Sequence, residues 1–413
     1  MFHVKEKDFI TRLFRRYYEE NSSAIDLPVG FEKREFGFAT FEERMIRHKS
    51  FQNRGEFVAF LESFAFSDVY YSCAYYDDPE AEMDKKGWLG ADLIFDIDAD
   101  HISTLCDKIH DDWSCENCRL SGKGSTPEKC PTCGGQKFNV RTWPCEACLN
   151  SAKNEAAKLL DFLCDDFGFS ERDAHIFFSG HRGYHVHVES QIVKDLDSRA
   201  RKELVDYFCG LGFDPTFFGL ANKDWNVAHV LRTLDFNDIG WRGRLAKQLY
   251  GFILNAKYED YAKIGLKRNV INTIIRNKDL ILKSWGDKDF RGIIKGVGFE
   301  TWKKMVDFCV ARNSVQIDTV VTTDIHRLIR MGGTLHSKTG LKKTEVAVSE
   351  IDDYDPFKNA IAFKKDTASV FVLDAPRFTI NGEVFGPYEK QKVELPLAAV
   401  VLLVCKGRAG VLE

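Results

Sequence analysis

The sequence predicts a mixed α/β (α+β) fold, and three patterns lead to it. Strand-like runs such as "LIFDID" (93–98) and "HIFFSGHRGYHVHV" (175–188) are interleaved with helical periodicities. A cysteine-rich stretch, 106–148, carries three Cys-x2-Cys pairs. Residues 194–312 are mostly helical in pattern, with Gly and Pro breaks. The expected architecture is a β-sheet core flanked by helices, with a zinc-binding module at 106–148 and a mostly helical inserted subdomain. The core's first part is expected over 1–193, the insertion over 194–312, and the second part with the C-terminal segment over 313–413.

Taken in order, residues 5–20 read as an amphipathic helix with Phe9, Ile10, Leu13, Phe14 and Tyr17 on its apolar side. "REFGFATF" and "MIRHKSF" alternate like strands, separated by Glu42 and Glu43. "NSAKNEAAKLLDFLCDDFGF" predicts a helix capped by Asn150 or Ser151 and ended by Gly168. Residues 317–340 return to strand, helix and turn patterns, and "ASVFVL" favours a strand. The apolar run "LPLAAVVLLVC" (395–405) is too short to span a bilayer and is expected as a buried helix or strand.

Composition narrows the class. The chain has 413 residues, 44% hydrophobic and 29% charged, as a soluble globular protein would. Its formal charge of −4, from 62 acidic against 58 basic residues, supplies no global field for nucleic acid, so such binding must use local patches. The charge is uneven: residues 68–112 hold thirteen acids and three lysines, whereas 321–343 hold five Lys/Arg and one Asp. No export signal is visible at the N-terminus, and the 12 cysteines cluster, which favours metal over disulfides. An intracellular protein is expected.

Four segments carry chemistry. Cys115-x2-Cys118 and Cys130-x2-Cys133 have the spacing of a tetrahedral zinc site, whose thiolates converge from two tight turns. Cys145-x2-Cys148 then remains to pair with Cys106 and His110, giving a second site; one zinc with spare thiols is the plainer alternative. The remaining cysteines (Cys73, Cys164, Cys209, Cys309 and Cys405) are expected in the core. In "ADLIFDIDAD" (91–100), Asp96 and Asp98 share one face of a strand and can bridge a pair of hard cations, although an exposed strand end would look the same. "SGHRGYHVHV" (179–188) offers two glycines and Arg182 for a phosphate cradle, with His185 and His187 on one face; a hairpin with two surface histidines is the plainer reading. In 317–340, Asp318 could add a third carboxylate, and Arg330, His336 and Lys338 would present cations near Gly332-Gly333, unless this is only a basic surface loop.

Taken together and in this order, these segments closely resemble the catalytic small subunit of the archaeal and eukaryotic DNA primases, in archaeal style. The matching stretches are "REFGF" (34–38), "IRHKSF" (46–51), "LIFDIDAD" (93–100), the Cys-x2-Cys before a helix ending "DFGF" (166–169), "SGHRGYHVHV", "HRLIRMGGTLHSKTGL" (326–341) and "LPLAAVVLLVCKGRA" (395–409). The resemblance implies a DNA-directed RNA polymerase that starts short RNA, or also DNA, primers on single-stranded DNA from NTPs. By position in the motifs, Asp96, Asp98 and Asp318 would hold two Mg²⁺ or Mn²⁺ ions, with Asp324 competing for the third place. Ser179, Arg182 and His185 would bind the triphosphate, and Arg330 and His336 would reach the incoming nucleotide. Arg47 and Glu35 carry over from the N-terminal motifs, and His181 stands where some relatives have Arg. Asp92 and Asp100 are expected outside the site. The family further implies a large regulatory subunit, one structural zinc, no membrane, and a cytoplasmic location at replication sites. Residues 111–144, with four extra cysteines, depart from the shorter family pattern as a second zinc module or an ornament on the first.

Two other readings compete. A phosphohydrolase of the haloacid-dehalogenase type also places D-x-D after an apolar strand, but wants Thr or Val where Asp100 stands, and leaves the basic motifs unused. A non-catalytic zinc-ribbon scaffold would need the cysteines but not Asp96, Asp98 or the phosphate turn.

Overall fold

The N-terminal periodicity folds as helix α1 (Val4–Asn21), which buries Ile10, Leu13, Phe14, Tyr17 and Tyr18, while Phe9 is only half-buried. Strands β1 (Phe36–Thr40) and β2 (Met45–Lys49) are followed by α2 (Arg54–Ser63), capped by the Asn53 side chain, and by β3 (Phe66–Ser72). A hairpin of β4 (Ala74–Tyr76) and β5 (Trp88–Ala91) leads into β6 (Leu93–Asp98). The cysteine-rich stretch contains β7 (Asp112–Cys115), β8 (Ser121–Lys123) and β9 (Phe138–Arg141), and ends in α3 (Glu146–Phe167). After β10 (Ala174–Phe178) and β11 (Gly183–Val188) come helices α4 (Gln191–Lys194), α5 (Ser198–Phe208), α6 (Trp241–Asn255), α7 (Tyr258–Lys263), α8 (Arg268–Arg276), α9 (Lys278–Lys283) and α10 (Phe299–Asn313). The chain closes with α11 (Thr319–Thr323), β12 (Leu328–Arg330), β13 (Thr344–Val346), α12 (Pro356–Asn359), β14 (Thr367–Ala375), β15 (Phe378–Ile380), β16 (Glu383–Phe385), β17 (Tyr388–Pro396), α13 (Leu397–Cys405) and β18 (Ala409–Val411). These elements belong to a computed structural model that describes residues 4–213, 234–285 and 296–412. Of the expected helical insertion, 214–233 and 286–295 therefore lie outside the described residues.

Helix α3 begins ahead of the expected caps at Asn150 and Ser151. The Cys148 N–H donates to Cys145 Sγ at 3.3 Å, so a sulfur rather than a hydroxyl or amide oxygen satisfies the first turn. Gly168, with φ +73°, ends the helix as expected.

The described chain divides into two compact units: residues 1–157, 171–202 and 317–413 form one, and 158–170 with 203–316 the other. The second unit is helical in its described residues; α6 and α10 pack together and bury Leu245, Leu249, Trp302, Met305 and Val306. The first unit holds two four-stranded antiparallel sheets, in the orders β12-β3-β1-β2 and β13-β10-β11-β6. A third sheet, β17-β14-β18, is covered by α13, whose Val400, Val401, Leu402 and Leu403 are fully buried. A mixed α+β architecture results, as the sequence predicts. Cys73 and Cys309 lie in the core, but Cys164 is exposed, on α3.

Candidate active site and metal centres

Alternation on β6 turns Leu93, Phe95 and Ile97 into the core and leaves Asp96 and Asp98 partly open on the other face. Across the ladder, Asp96 is opposite His185 of β11, and Asp98 is opposite Gly183. A Cβ on Gly183 would come within 2.3 Å of the Ile97 carbonyl oxygen, so only glycine lets β11 lie this close beneath the acidic strand. His185 Nε2 lies 3.5 Å from Asp96 Oδ1. Burial, with Lys343 and His187 beside it, holds His185 well below the usual histidine range and therefore neutral. His187 is fully buried, not on the surface; its Nε2 is 3.2 Å from Lys343 Nζ, which also donates to the Arg330 carbonyl at 2.8 Å.

Asp318 caps α11, accepting from the Val320 N–H at 2.9 Å, while its own N–H donates to the Asp96 carbonyl at 2.8 Å. Burial first, then Asp98 and Asp318, push the Asp96 carboxyl up to about 7. Asp324 sits at the far end of α11, where its carboxylate accepts from the His326 N–H at 3.0 Å and its charge acts on Cys73 and Arg201. The two candidate third carboxylates thus face different neighbours. Burial raises the Asp98 carboxyl as well, so two of these three neighbouring carboxylates are disfavoured as anions, a donor set suited to hard divalent cations.

The turn between β10 and β11 is drawn in by its own polar groups. Ser179 Oγ accepts from the N–H of His181 at 3.3 Å and of Gly183 at 3.2 Å, leaving its proton available to an incoming oxygen. Gly180, with φ +88°, packs beside His336, where a Cβ would lie 3.0 Å from the His336 Cβ. Arg182 departs from expectation. It is fully buried, donates to Asp111 at 2.7 and 3.0 Å, and pairs with Asp100, so its fork is closed by carboxylates. Asp100, expected outside, therefore lines the site, whereas Asp92 stays out of it in a buried pair with Arg34.

A cavity of about 220 Å³ is lined by Asp96, Asp98, Asp100, Ser179, His185 and His336, with Arg327, Arg330 and Lys338 among the cations, whereas Asp318 and Arg182 do not line it. Arg330 is paired with Asp68 and donates to the Leu335 carbonyl at 3.0 Å. Arg47 is bound to the buried Glu35 at 2.9 Å and does not line this cavity. Burial pushes His336 well below its usual range. Sequence reasoning missed Asp111, Lys343 and Lys406; for Lys406, a lone charge straight after the apolar run ending at Cys405 was the available signal.

Each cysteine set converges. Cys106, His110, Cys145 and Cys148 keep their ligand atoms within 4.8 Å of one another, as do Cys115, Cys118, Cys130 and Cys133. Sulfur pairs at 3.5–3.6 Å approach the tetrahedral edge of about 3.8 Å set by Zn–S bonds of about 2.3 Å. Both groups, paired as expected, can hold zinc with four protein ligands and no open position. His110 Nδ1 lies 2.8 Å from Asp111 Oδ1, the carboxylate contact that orients a metal-binding imidazole.

Comparison with known proteins agrees with this geometry. Residues 142–348 match the family model described as DNA primase small subunit. The chain is 31% identical over 403 residues to the DNA primase small subunit PriS of Nitrosopumilus maritimus, covering 98% of each chain. It is 33% identical over 430 residues to that of Methanothrix thermoacetophila, covering 98% of this chain and 99% of the other. It is 31% identical over 416 residues to that of Cenarchaeum symbiosum, covering 99% of both. Similarity of this extent, on a carboxylate site beside a cysteine cluster, assigns the chain to the DNA primase small subunit family.

Proposed function

We propose that the chain is the catalytic subunit of a primase, joining NTPs into short primers in the order set by a single-stranded DNA template. The observation that carries this reading is the joining of Asp96, Asp98 and the phosphate turn of Ser179 in one cavity of a chain similar to primase small subunits over nearly its whole length. Neither the phosphohydrolase nor the scaffold reading accounts for that similarity. The family's name also implies a large regulatory subunit as partner. Among the described residues no helix is long and apolar enough to cross a membrane.

Asp96, Asp98 and Asp318 would hold two Mg²⁺ or Mn²⁺ ions. When bound, such ions lower the pKa of the attacking 3′-hydroxyl and stabilise the charge developing on the pyrophosphate. The rigid strand β6 keeps Asp96 and Asp98 at fixed spacing, so little reorganisation accompanies reaction. Ser179 donates its hydroxyl proton to a phosphate oxygen, and neutral His185 and His336 offer N–H donors along the same wall. Lys338 and Arg327 supply positive charge in the cavity. Arg182 acts from behind: through Asp111 and Asp100 it holds the turn in register with the end of the acidic strand.

The test is template-directed synthesis on single-stranded DNA with NTPs and Mg²⁺ or Mn²⁺. Asp96→Asn or Asp98→Asn is expected to lose roughly 10³-fold in rate with zinc content intact. Asp318→Asn should fall by about 10²-fold and Asp324→Asn by less than about 3-fold. Full synthesis by the Asp96 variant, or equal effects at Asp318 and Asp324, would overturn the assignment.

A further inference from the structure

Two arginines at the catalytic cavity and its turn are already neutralised, Arg182 by Asp111 and Asp100 and Arg330 by Asp68, and Arg47, outside the cavity, is held by Glu35. Lys406 is different. It follows the last residue of α13, is only 8% exposed, and points its ammonium at His181 Nε2 (2.7 Å) and Thr142 Oγ1 (3.4 Å). Among the described residues no carboxylate pairs with it. A buried cation held only by neutral groups is costly unless an anion arrives. Burial, with Arg182 and Lys338 nearby, accordingly brings this ammonium down to about 7.

The surroundings indicate which anion. Lys406 lines a cleft of about 1160 Å³, and Lys338 and Asp100 line both that cleft and the catalytic cavity. His181, the partner of Lys406, faces the catalytic cavity and stacks on His336 with ring centroids 5.1 Å apart. Other cations of the cleft are engaged: Lys7 with Glu42, Arg141 with Asp112, and Lys108 with the Asp100 carbonyl. Lys338, like Lys406, has no ion pair among the described residues. Two unmatched ammonium groups beside a histidine pair suit several phosphate oxygens better than a single carboxylate.

We propose that Lys406, with His181 and Lys338, forms a phosphate-binding subsite where the large cleft meets the catalytic cavity, taking the polyphosphate tail of a nucleotide. The inference rests on the primase reading above and adds a residue to it. Two nucleotides could supply the tail: the incoming one, or the initiating one at the primer's 5′ end.

Inorganic tripolyphosphate, titrated calorimetrically without nucleotide or divalent ion, reads the subsite apart from catalysis. Loss of a charge-assisted contact in Lys406→Gln should weaken its binding by about 10-fold or more, and Lys406→Arg should restore most of it. Equal affinity of wild type and Lys406→Gln overturns the proposal, whereas synthesis surviving Asp96→Asn would instead sink the primase reading. Should Lys406→Gln fail to fold, reductive methylation of Lys406 in the wild-type protein, followed by peptide mass spectrometry, takes its place. Tripolyphosphate is then expected to slow modification several-fold, and an unchanged rate overturns the proposal. Kinetics identify the source. A KM for NTP raised by about 10-fold in both primer extension and de novo initiation assigns the subsite to the incoming nucleotide. A fall of that size in initiation relative to extension assigns it to the initiating nucleotide. No kinetic change in either reaction overturns the proposal.

Discussion

The two cysteine clusters each offer four ligands, but they are embedded differently. Cys148 of the first is fully buried, and Cys145 caps the 22-residue helix α3. His110 of the same cluster touches Asp111, which accepts from the Trp143 N–H at 2.8 Å and from Arg182. The second cluster hangs on the ribbon β8-β7-β9, with Cys118 and Cys133 exposed. Its apolar support is slight: Trp113 meets Phe138 edge-on at 5.6 Å, and Gly122 lies under the Trp113 ring. A metal held by the first group is thus linked through two side chains to the turn that carries Ser179, whereas one held by the second organises its own ribbon. Clusters with the same number of ligands need not have equal consequences.

The largest expected effect follows from cutting the first cluster. Cys148→Ser should lose one zinc and free the start of α3, Asp111 and the turn together. Structural zinc contributes on the order of 10 kcal/mol in small modules. A core that loses even half of that should melt at least about 10 °C lower and make no primers. Metal analysis, thermal denaturation and the synthesis assay read all three. A variant that melts normally would place the first cluster on the same footing as the second.

Asp111→Asn sharpens the comparison without touching a ligand. Zinc content should stay the same, while synthesis falls about 10- to 100-fold, because Arg182 loses the charge that holds it. The matching change beside the ribbon, exposed Glu116→Gln, should move neither quantity. Equal effects of the two substitutions would show that no link from cluster to turn exists.

Much of this contrast lay outside what the sequence can convey. Cysteine spacing pairs the ligands correctly, because tetrahedral convergence from tight turns is a local requirement. Alternation likewise marks Asp96 and Asp98 as sharing a face, since strand period is local too. Arg182 was legible as a cation in a glycine turn but not as a buried one, for its partners Asp111 and Asp100 lie more than seventy residues earlier. Lys406 lies farther still from Thr142 and His181, and no periodicity announces the cavity that folding closes around it. The start of α3 was misjudged because cap preferences name oxygen-bearing side chains, and here a sulfur does the capping.

Cys115→Ser with Cys118→Ser is the counterpart of the first prediction and should be milder. One zinc is lost and the ribbon unfolds, because three short strands around Trp113 cannot sustain a core alone. The melting temperature of the remainder should fall by less than about 3 °C, since few kcal/mol of its stability depend on the ribbon. The KM for NTP should keep its wild-type value within about 2-fold, as no ribbon cysteine lines the catalytic cavity. A collapse of stability like that of Cys148→Ser would remove the contrast between the clusters.

The smallest expected effect concerns the ribbon's packing alone. A Cβ on Gly122 would lie 2.4 Å from Cζ2 and 2.7 Å from Cε2 of Trp113, so the indole must tilt away from its edge-on contact with Phe138. Overpacking of this kind costs about 1–3 kcal/mol, less here because one side of the ribbon is open to solvent. Gly122→Ala should therefore keep both zincs at equilibrium but release the ribbon's ion faster to a chelator, by roughly 5-fold for 1 kcal/mol. The other ion should leave at its wild-type rate, because the contacts of the Trp113 ring are with Phe138 and Gly122 of the ribbon. Chelator-release kinetics with two phases, only the faster of them altered by the substitution, is the expected outcome. Acceleration of both phases would mean that the clusters are mechanically joined.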